Sequence, residues 1–282
     1  MKINHHKSSN QLNFCIITPV KDDIKIFNLI RTFEEMDLGE RVEYLIICNG
    51  STNNFITKIE KSVENLKHSR VLVLNRSNIA AATNYGIKRT NSSKIVIVDS
   101  DCLISKDYII PMSKALDNNL AVRGKVIFQG FSSFTRLCAL LRGYTYQTES
   151  DLFFAPNLAF NKSIFLKVGY FNESLIYSCD SEFGYRANQI GIILTHESKA
   201  QVIHVCGNNI LNEIKVSFGH GGGRAYCYQK GLLGDKNLGS FIKTMCIPCV
   251  FSKKESFIYN LFVVFYVLLW NFGFLKTIVF RK

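Results

Sequence analysis

The chain has 282 residues, 47% of them apolar, so it can bury the core of one large α/β domain or two modest ones, and wholesale disorder is excluded. Its 34 Lys and Arg against 22 Asp and Glu give a net charge of +12. Residues 205–282 carry ten basic and three acidic residues beside a long apolar run, with no basic stripe interleaved with stacking aromatics, which points to an anionic lipid surface and away from nucleic acid.

In chain order, the polar start MKINHHKSSNQLN lacks the apolar stretch of a secretory signal. The run at 14–18 predicts a strand stopping at Pro19, and Ile24, Phe27, Ile30 and Phe33 space a helix over 24–36. Residues 42–48 form a second apolar run, ended by the turn formers NGSTNN. Helical spacing follows at 55–67, a strand at 70–75, and a helix at 77–90 capped by Ser77 or Asn78. A fourth strand runs through KIVIVDSDC (94–102). Beyond 108 the pattern predicts a strand at 120–128, a helix at 134–147, a strand or extended loop at 153–160, short helices at 161–169 and 181–191, and a strand at 199–206. Residues 207–255 are Gly-rich and basic and carry no clear period.

Strands that are apolar throughout and alternate with helices imply a parallel sheet covered on both faces. Sites in such sheets lie at the carboxyl ends of the strands. TPVKDD, CNGSTNN, NRSN and DSDC are therefore expected to line one crevice. Asp99 and Asp101 would point to opposite faces of a straight strand, but where the chain turns they can converge. A hard divalent cation, Mg2+ or Mn2+, binds through such carboxylates plus phosphate oxygens. The plain alternative is that both acids only cap the following turn.

Seven segments, in order, resemble glycosyltransferase family 2 with the GT-A fold. They are CIITPVKDD, IICNGSTNN, NRSNIAAATNYGI, IVIVDSDC, FAPNLAFNKSIFLKVGYFNESL, CDSEFGYRANQIG and AQVIHVC, spread over residues 13–206. The resemblance implies an inverting transferase that uses a nucleotide-sugar donor, with UDP as the first expectation for the nucleotide. It implies metal and diphosphate binding by Asp99 and Asp101, with His204 near the metal or simply a satisfied core histidine. Pro19, Val20, Asn49, Asn78, Asn84 and Ser100 become donor-binding candidates. Asp180 falls on the position of the general base, and it is also placed to cap the helix that follows. Glu182 and Arg186, four apart, are expected to pair as structural support.

The sequence departs from the family pattern at Cys48-Asn49, Thr83 and Cys179, where the family has acids, an Arg and a glutamate respectively. Those departures keep a second reading open, a decayed membrane-associated protein that binds nucleotide sugars without turning them over. A nucleotidyltransferase would carry a Gly-rich loop after the first strand, and TPVKDD has no glycine.

The resulting layout is an α/β GT-A domain plus a C-terminal hydrophobic helix. Residues 13–108 are the nucleotide-sugar-binding half, 109–206 the acceptor-binding and catalytic half of the same domain, 207–255 a basic connecting region, and 256–280 a membrane-associated helix. Ser256 to Leu275 is twenty residues without a charge, about one hydrocarbon thickness as a helix. It would either span the bilayer, lie in its surface, or be buried in a core. The expected acceptor is a glycan or a polyprenyl-linked sugar in bacterial surface polysaccharide assembly, at the cytoplasmic face of the membrane. Nine scattered cysteines fit reduced thiols, and Cys246-Ile-Pro-Cys249 is a lone CxxC.

Overall fold

The structure is a computed structural model that describes residues 13–36, 42–148, 151–233 and 255–280. Cys246, Cys249, Lys253 and Lys254 lie outside the described residues. The chain order is β1 (Phe14–Val20), α1 (Ile26–Glu34), β2 (Val42–Asn49), α2 (Asn53–Ser62), β3 (Ser69–Leu74), α3 (Ile79–Arg89), β4 (Lys94–Val98), β5 (Cys102–Ile104), α4 (Ile109–Ala115), β6 (Ala121–Gln129), α5 (Ser133–Thr148), β7 (Asn157–Asn161), α6 (Ile164–Val168), α7 (Cys179–Gln189), β8 (Leu194–Val205) and α8 (Ile210–Gln229). A final helix, α9, spans Phe257–Phe280.

All eight strands form one sheet in the order β3-β2-β1-β4-β7-β6-β8-β5. The β3-β2-β1-β4 part is parallel, as the apolar runs imply. Beyond it the sheet is mixed, because β7 runs antiparallel to both β4 and β6. The β4–β7 pairing joins the two halves of the sequence in one sheet. Burial on both faces follows from the strand period of two. Phe14, Ile16, Tyr44 and Ile46 pack under α1, α2 and α4, while Cys15, Ile17, Leu45 and Ile47 pack toward α3 and α7. The seven described cysteines are all free thiols.

Two short elements, β5 and α4, carry too few residues to show a period in the sequence. The larger surprise is α8. It contains Gly219, Gly221, Gly222 and Gly223, each of which costs a helix about 1 kcal/mol relative to Ala. Packing overrides that propensity. A Cβ on Gly221 would lie 1.9 Å from the Trp270 carbonyl oxygen of α9, and one on Gly273 would lie 1.9 Å from the Phe218 carbonyl oxygen of α8. On its other side, α8 presents Gly219 to the Tyr177 ring and Gly223 to Ser178. The glycine run therefore lets α8 sit in backbone contact between α9 and the segment that leads into α7.

Gly143 in α5 has open space where its Cβ would be, so it serves as the matched control. Gly143→Ala is expected to raise stability by about 0.5–1 kcal/mol, and Gly221→Ala to lower it by about 1–3 kcal/mol through overpacking. Chemical unfolding of the two variants checks the opposite signs.

Candidate active site

Strand ends and the turns after them build one crevice. β2 ends at Asn49, and Gly50 follows at φ +67°, a left-handed turn whose Cβ would come within 2.9 Å of the Ser77 backbone nitrogen. That close approach brings the Asn49 Oδ1 to accept the Asn78 backbone N–H at 2.7 Å. Asn78 in turn caps α3 by accepting from the Ala81 N–H at 2.8 Å. Its amide nitrogen donates to the Glu173 carbonyl. The side chain of Asn49 thus keeps its NH2 group and one lone pair of Oδ1 for a ligand.

After Val98 the chain turns, with the Cys102 N–H bonded back to the Asp99 carbonyl at 3.1 Å. The turn brings Asp99 and Asp101 to the same side. β8 pairs with β5 so that His204 faces Cys102, which carries the imidazole to the acids. Ligand atoms of Asp99, Asp101 and His204 all lie within 4.8 Å of one another. The His204 Nε2 is 3.2 Å from the Asp101 Oδ1, and its buried Nδ1 has no partner among the described residues.

Charge is crowded here. Burial first, then the Asp101 and Asp180 charges, push the Asp99 carboxyl well above the usual aspartate range. Burial holds the His204 imidazole below its ordinary value, against the pull of Asp101 in the other direction. Two carboxylates and an imidazole are donors suited to Mg2+ or Mn2+, and a cation would relieve the repulsion that raises Asp99. The residues present fit such an ion.

One contact was not foreseen. The Lys25 ammonium, from the turn before α1, lies 3.2 Å from the Asp101 Oδ2 and donates to the Val205 carbonyl at 3.1 Å. Beside it, the Ser100 hydroxyl donates to the Asp23 Oδ2 at 3.2 Å. The signal in the sequence was the charged run KDDIK directly after the first strand, but no spacing in it links Lys25 to the acids at 99–101.

Asp180 opens the first turn of α7, where it is held rather than free. Its Oδ2 accepts the Ala155 N–H at 3.0 Å and its Oδ1 the Ser181 N–H at 2.8 Å. Burial raises its pKa, and these backbone donors act the other way. The helix cap itself is Ser178, in the left-handed region at φ +60°, with its hydroxyl 2.8 Å from the His220 Nδ1 of α8. Glu182 and Arg186 pair through two hydrogen bonds of 2.9 Å, as their spacing predicts, and Arg186 also reaches the Val168 and Tyr170 carbonyls.

Pro19, Val20, Asn49, Asn78, Asp99, Ser100, Asp101, Asp180 and His204 line one cavity of about 700 Å³. Asn84 does not. It is 2% exposed, and its amide is fully engaged with the Phe171 backbone and Glu173, tying α3 to the 171–173 segment. Asn84 is in this fold a packing residue. The cavity continues past Asp180 to a wall built by α8 and α9, which includes His220, Arg224 and Trp270.

Residues 16–165, more than half of the chain, match glycosyl transferase family 2. The chain belongs to this family. It is a glycosyltransferase with a nucleotide-sugar donor, built on a GT-A sheet. The fold is similar to that of the mannosyltransferase PcManGT from Pyrobaculum calidifontis, solved in complex with GDP-Man and Mn2+, with a TM-score of 0.67 at 10% identity over 96% of this chain and 88% of that one. Comparison with curated protein sequences gives no match.

Because an ammonium already sits on Asp101, Lys25 competes with any cation at the cluster. Lys25→Met is expected to tighten Mn2+ binding in the absence of nucleotide by roughly tenfold, the scale of one neighbouring unit charge. Titration of Mn2+ by electron paramagnetic resonance reads this directly, and an unchanged or weaker affinity contradicts it.

Proposed function

We propose that this transferase moves a sugar from its nucleotide donor to an acceptor hydroxyl by a single inverting displacement, with Asp180 as the general base. The observation that carries the reading is that Asp180 shares one cavity with the Asp99, Asp101 and His204 cluster. The two halves of the sheet divide the work. Residues 13–108 supply the nucleotide side, with Pro19, Val20, Asn49, Asn78 and Ser100 facing the donor. Residues 109–206 supply Asp180 and His204.

Asp99, Asp101 and His204 would hold a Mg2+ or Mn2+ ion, as the Mn2+ in the PcManGT complex also suggests. When bound, the ion supplies positive charge to the departing diphosphate. Lys25 adds a fixed positive charge at the same place, and the Asn49 amide donates to the base edge. UDP is our first expectation for the nucleotide, and the GDP-Man of PcManGT makes a GDP-sugar the second arm of any binding screen. The Ala155 and Ser181 N–H groups fix the Asp180 carboxylate, which takes the proton of the attacking hydroxyl. Its raised pKa improves proton affinity, while the base still has to be ionised to act. The acidic limb of turnover therefore lies above the ordinary aspartate value of 3.8.

Asp180→Asn is expected to leave nucleotide-sugar binding with Mn2+ intact and to lower turnover by about two to four orders of magnitude. Thermal shift with a panel of nucleotide sugars, read beside transfer rates, separates the two effects. A parallel loss of donor affinity would assign Asp180 to donor binding instead.

The acceptor we propose is a glycan or a polyprenyl-linked sugar of bacterial surface polysaccharide, reached from the cytoplasmic face of the membrane. α9 supports attachment, being long and apolar enough to cross a bilayer. It buries one face, with Tyr259, Val263, Trp270 and Phe274, against the body of the protein. The opposite side exposes Phe257, Leu261, Phe265, Leu268, Phe272 and Val279, a helical stripe of apolar side chains along its whole length. We assign this stripe to lipid. Deleting the helix would also strip α8 of its partner, so a milder change is the better probe. Leu261→Glu with Leu268→Glu is expected to shift the protein from the membrane to the soluble fraction while nucleotide binding persists. Fractionation that finds no shift removes the anchor.

A further inference from the structure

Arg142 and Arg186, in or beside the interior of the second half, are each matched by a carboxylate. Arg142 donates to both oxygens of Glu213, at 2.6 and 2.8 Å. Arg186 is paired with Glu182. Arg224 is not. It lines the cavity from α8, and among the described residues no carboxylate forms an ion pair with it. Its Nη1 bonds the Tyr185 hydroxyl, and the guanidinium lies 5.6 Å from the centre of that ring. Its Nε is buried with no hydrogen-bond partner. A half-buried cation with a buried, unused Nε donor in a cavity wall is left under-satisfied unless a ligand matches it.

The surroundings narrow what that ligand is. Asp23, Asp99 and Asp101 stand by the strand tips, while Asp180 of α7 and Glu213 of α8, the latter neutralised by Arg142, also line the cavity. Arg224 lines the cavity from α8 and faces Tyr185 of α7, the helix that also carries Asp180. His220, one turn before Arg224 on α8, adds a ring whose Nδ1 already faces the Ser178 hydroxyl. Tyr266, Val267 and Trp270 of α9 complete this wall with largely apolar surface. The outer face of the same helix is the exposed apolar stripe.

We propose that the α8 end of the cavity is an anion subsite for the acceptor, which is an amphiphile bearing a phosphate or carboxylate group that Arg224 binds. This deepens the transferase reading and rests on it for the word acceptor. The guanidinium offers a planar set of donors to the anion, and the α9 wall takes the apolar part of the molecule. Phosphate on a lipid and carboxylate on an acidic sugar share this chemistry.

Trp270 is the sole tryptophan of the chain and lines the subsite, so its fluorescence reports occupancy. The full chain in a zwitterionic detergent is titrated with farnesyl phosphate against farnesol, and with octyl glucuronide against octyl glucoside. Nucleotide binding with Mn2+ is measured on the same preparations. We expect at least one anionic probe to bind about tenfold tighter than its neutral counterpart, the scale of a charge-assisted hydrogen bond. That preference should vanish in Arg224→Gln and survive in part in Arg224→Lys, with nucleotide binding unchanged in both. The pair that shows it tells lipid phosphate from acidic sugar.

Equal binding of anionic and neutral probes by the unmutated chain overturns the subsite, whether or not the variants fold. An anionic preference that persists in Arg224→Gln overturns the role of Arg224. Failure of the unmutated chain to bind any nucleotide sugar, with the anionic preference intact, sinks the transferase reading and leaves the anion site standing.

Discussion

Five carboxylates, those of Asp23, Asp99, Asp101, Asp180 and Glu213, line one cavity, and something has to offset their repulsion. Arg142 does so at Glu213. Lys25 does part of this at Asp101, and backbone N–H groups do it at Asp180. Asp99 is held well above the usual aspartate range, first by burial and then by the charges of Asp101 and Asp180, with Arg142 opposing them only in part. This imbalance is what makes the strand tips receptive to a divalent cation. It also explains why the site is built from tips at all. Only where β4 breaks into a turn can residues two apart swing to the same side, and only there can a strand from the other half of the chain bring an imidazole alongside.

The first half of the sheet was legible in the sequence because its determinants are local. Apolar runs flanked by turn formers are strands, and the sheet partners of β1, β2 and β3 follow from parallel βαβ order. The D-x-D at 99–101, the cap at Asn78 and the Glu182–Arg186 pair were all visible as spacings within a few residues. What was hidden depends on contacts between distant segments. Lys25 meets Asp101 across 76 positions, and Asn84 meets Phe171 across 87. The sequence offered Asn84 as a polar residue on a helix near the donor, and nothing local said that its amide would be used up by another loop.

α8 is the case where local reasoning gave no assignment. Four glycines in twenty residues left the segment without a clear period, because propensity is summed over the isolated segment. Tertiary packing decides otherwise when each missing Cβ makes room for a neighbouring backbone. The same glycines explain why Arg224 and His220 reach the cavity. With the helix axis drawn close to Ser178, side chains on that face enter the space beside Asp180.

The joint between α8 and α9 brings main chain against main chain at Gly221 and Gly273, with Ala225, Tyr228, Trp270 and Phe274 packed beside it. Close backbone contact of this kind leaves little room for either helix to shift alone. The long apolar helix α9 is consequently also a wall of the cavity that holds Asp180. An unrelated hydrophobic segment grafted in its place would leave that chamber open on one side.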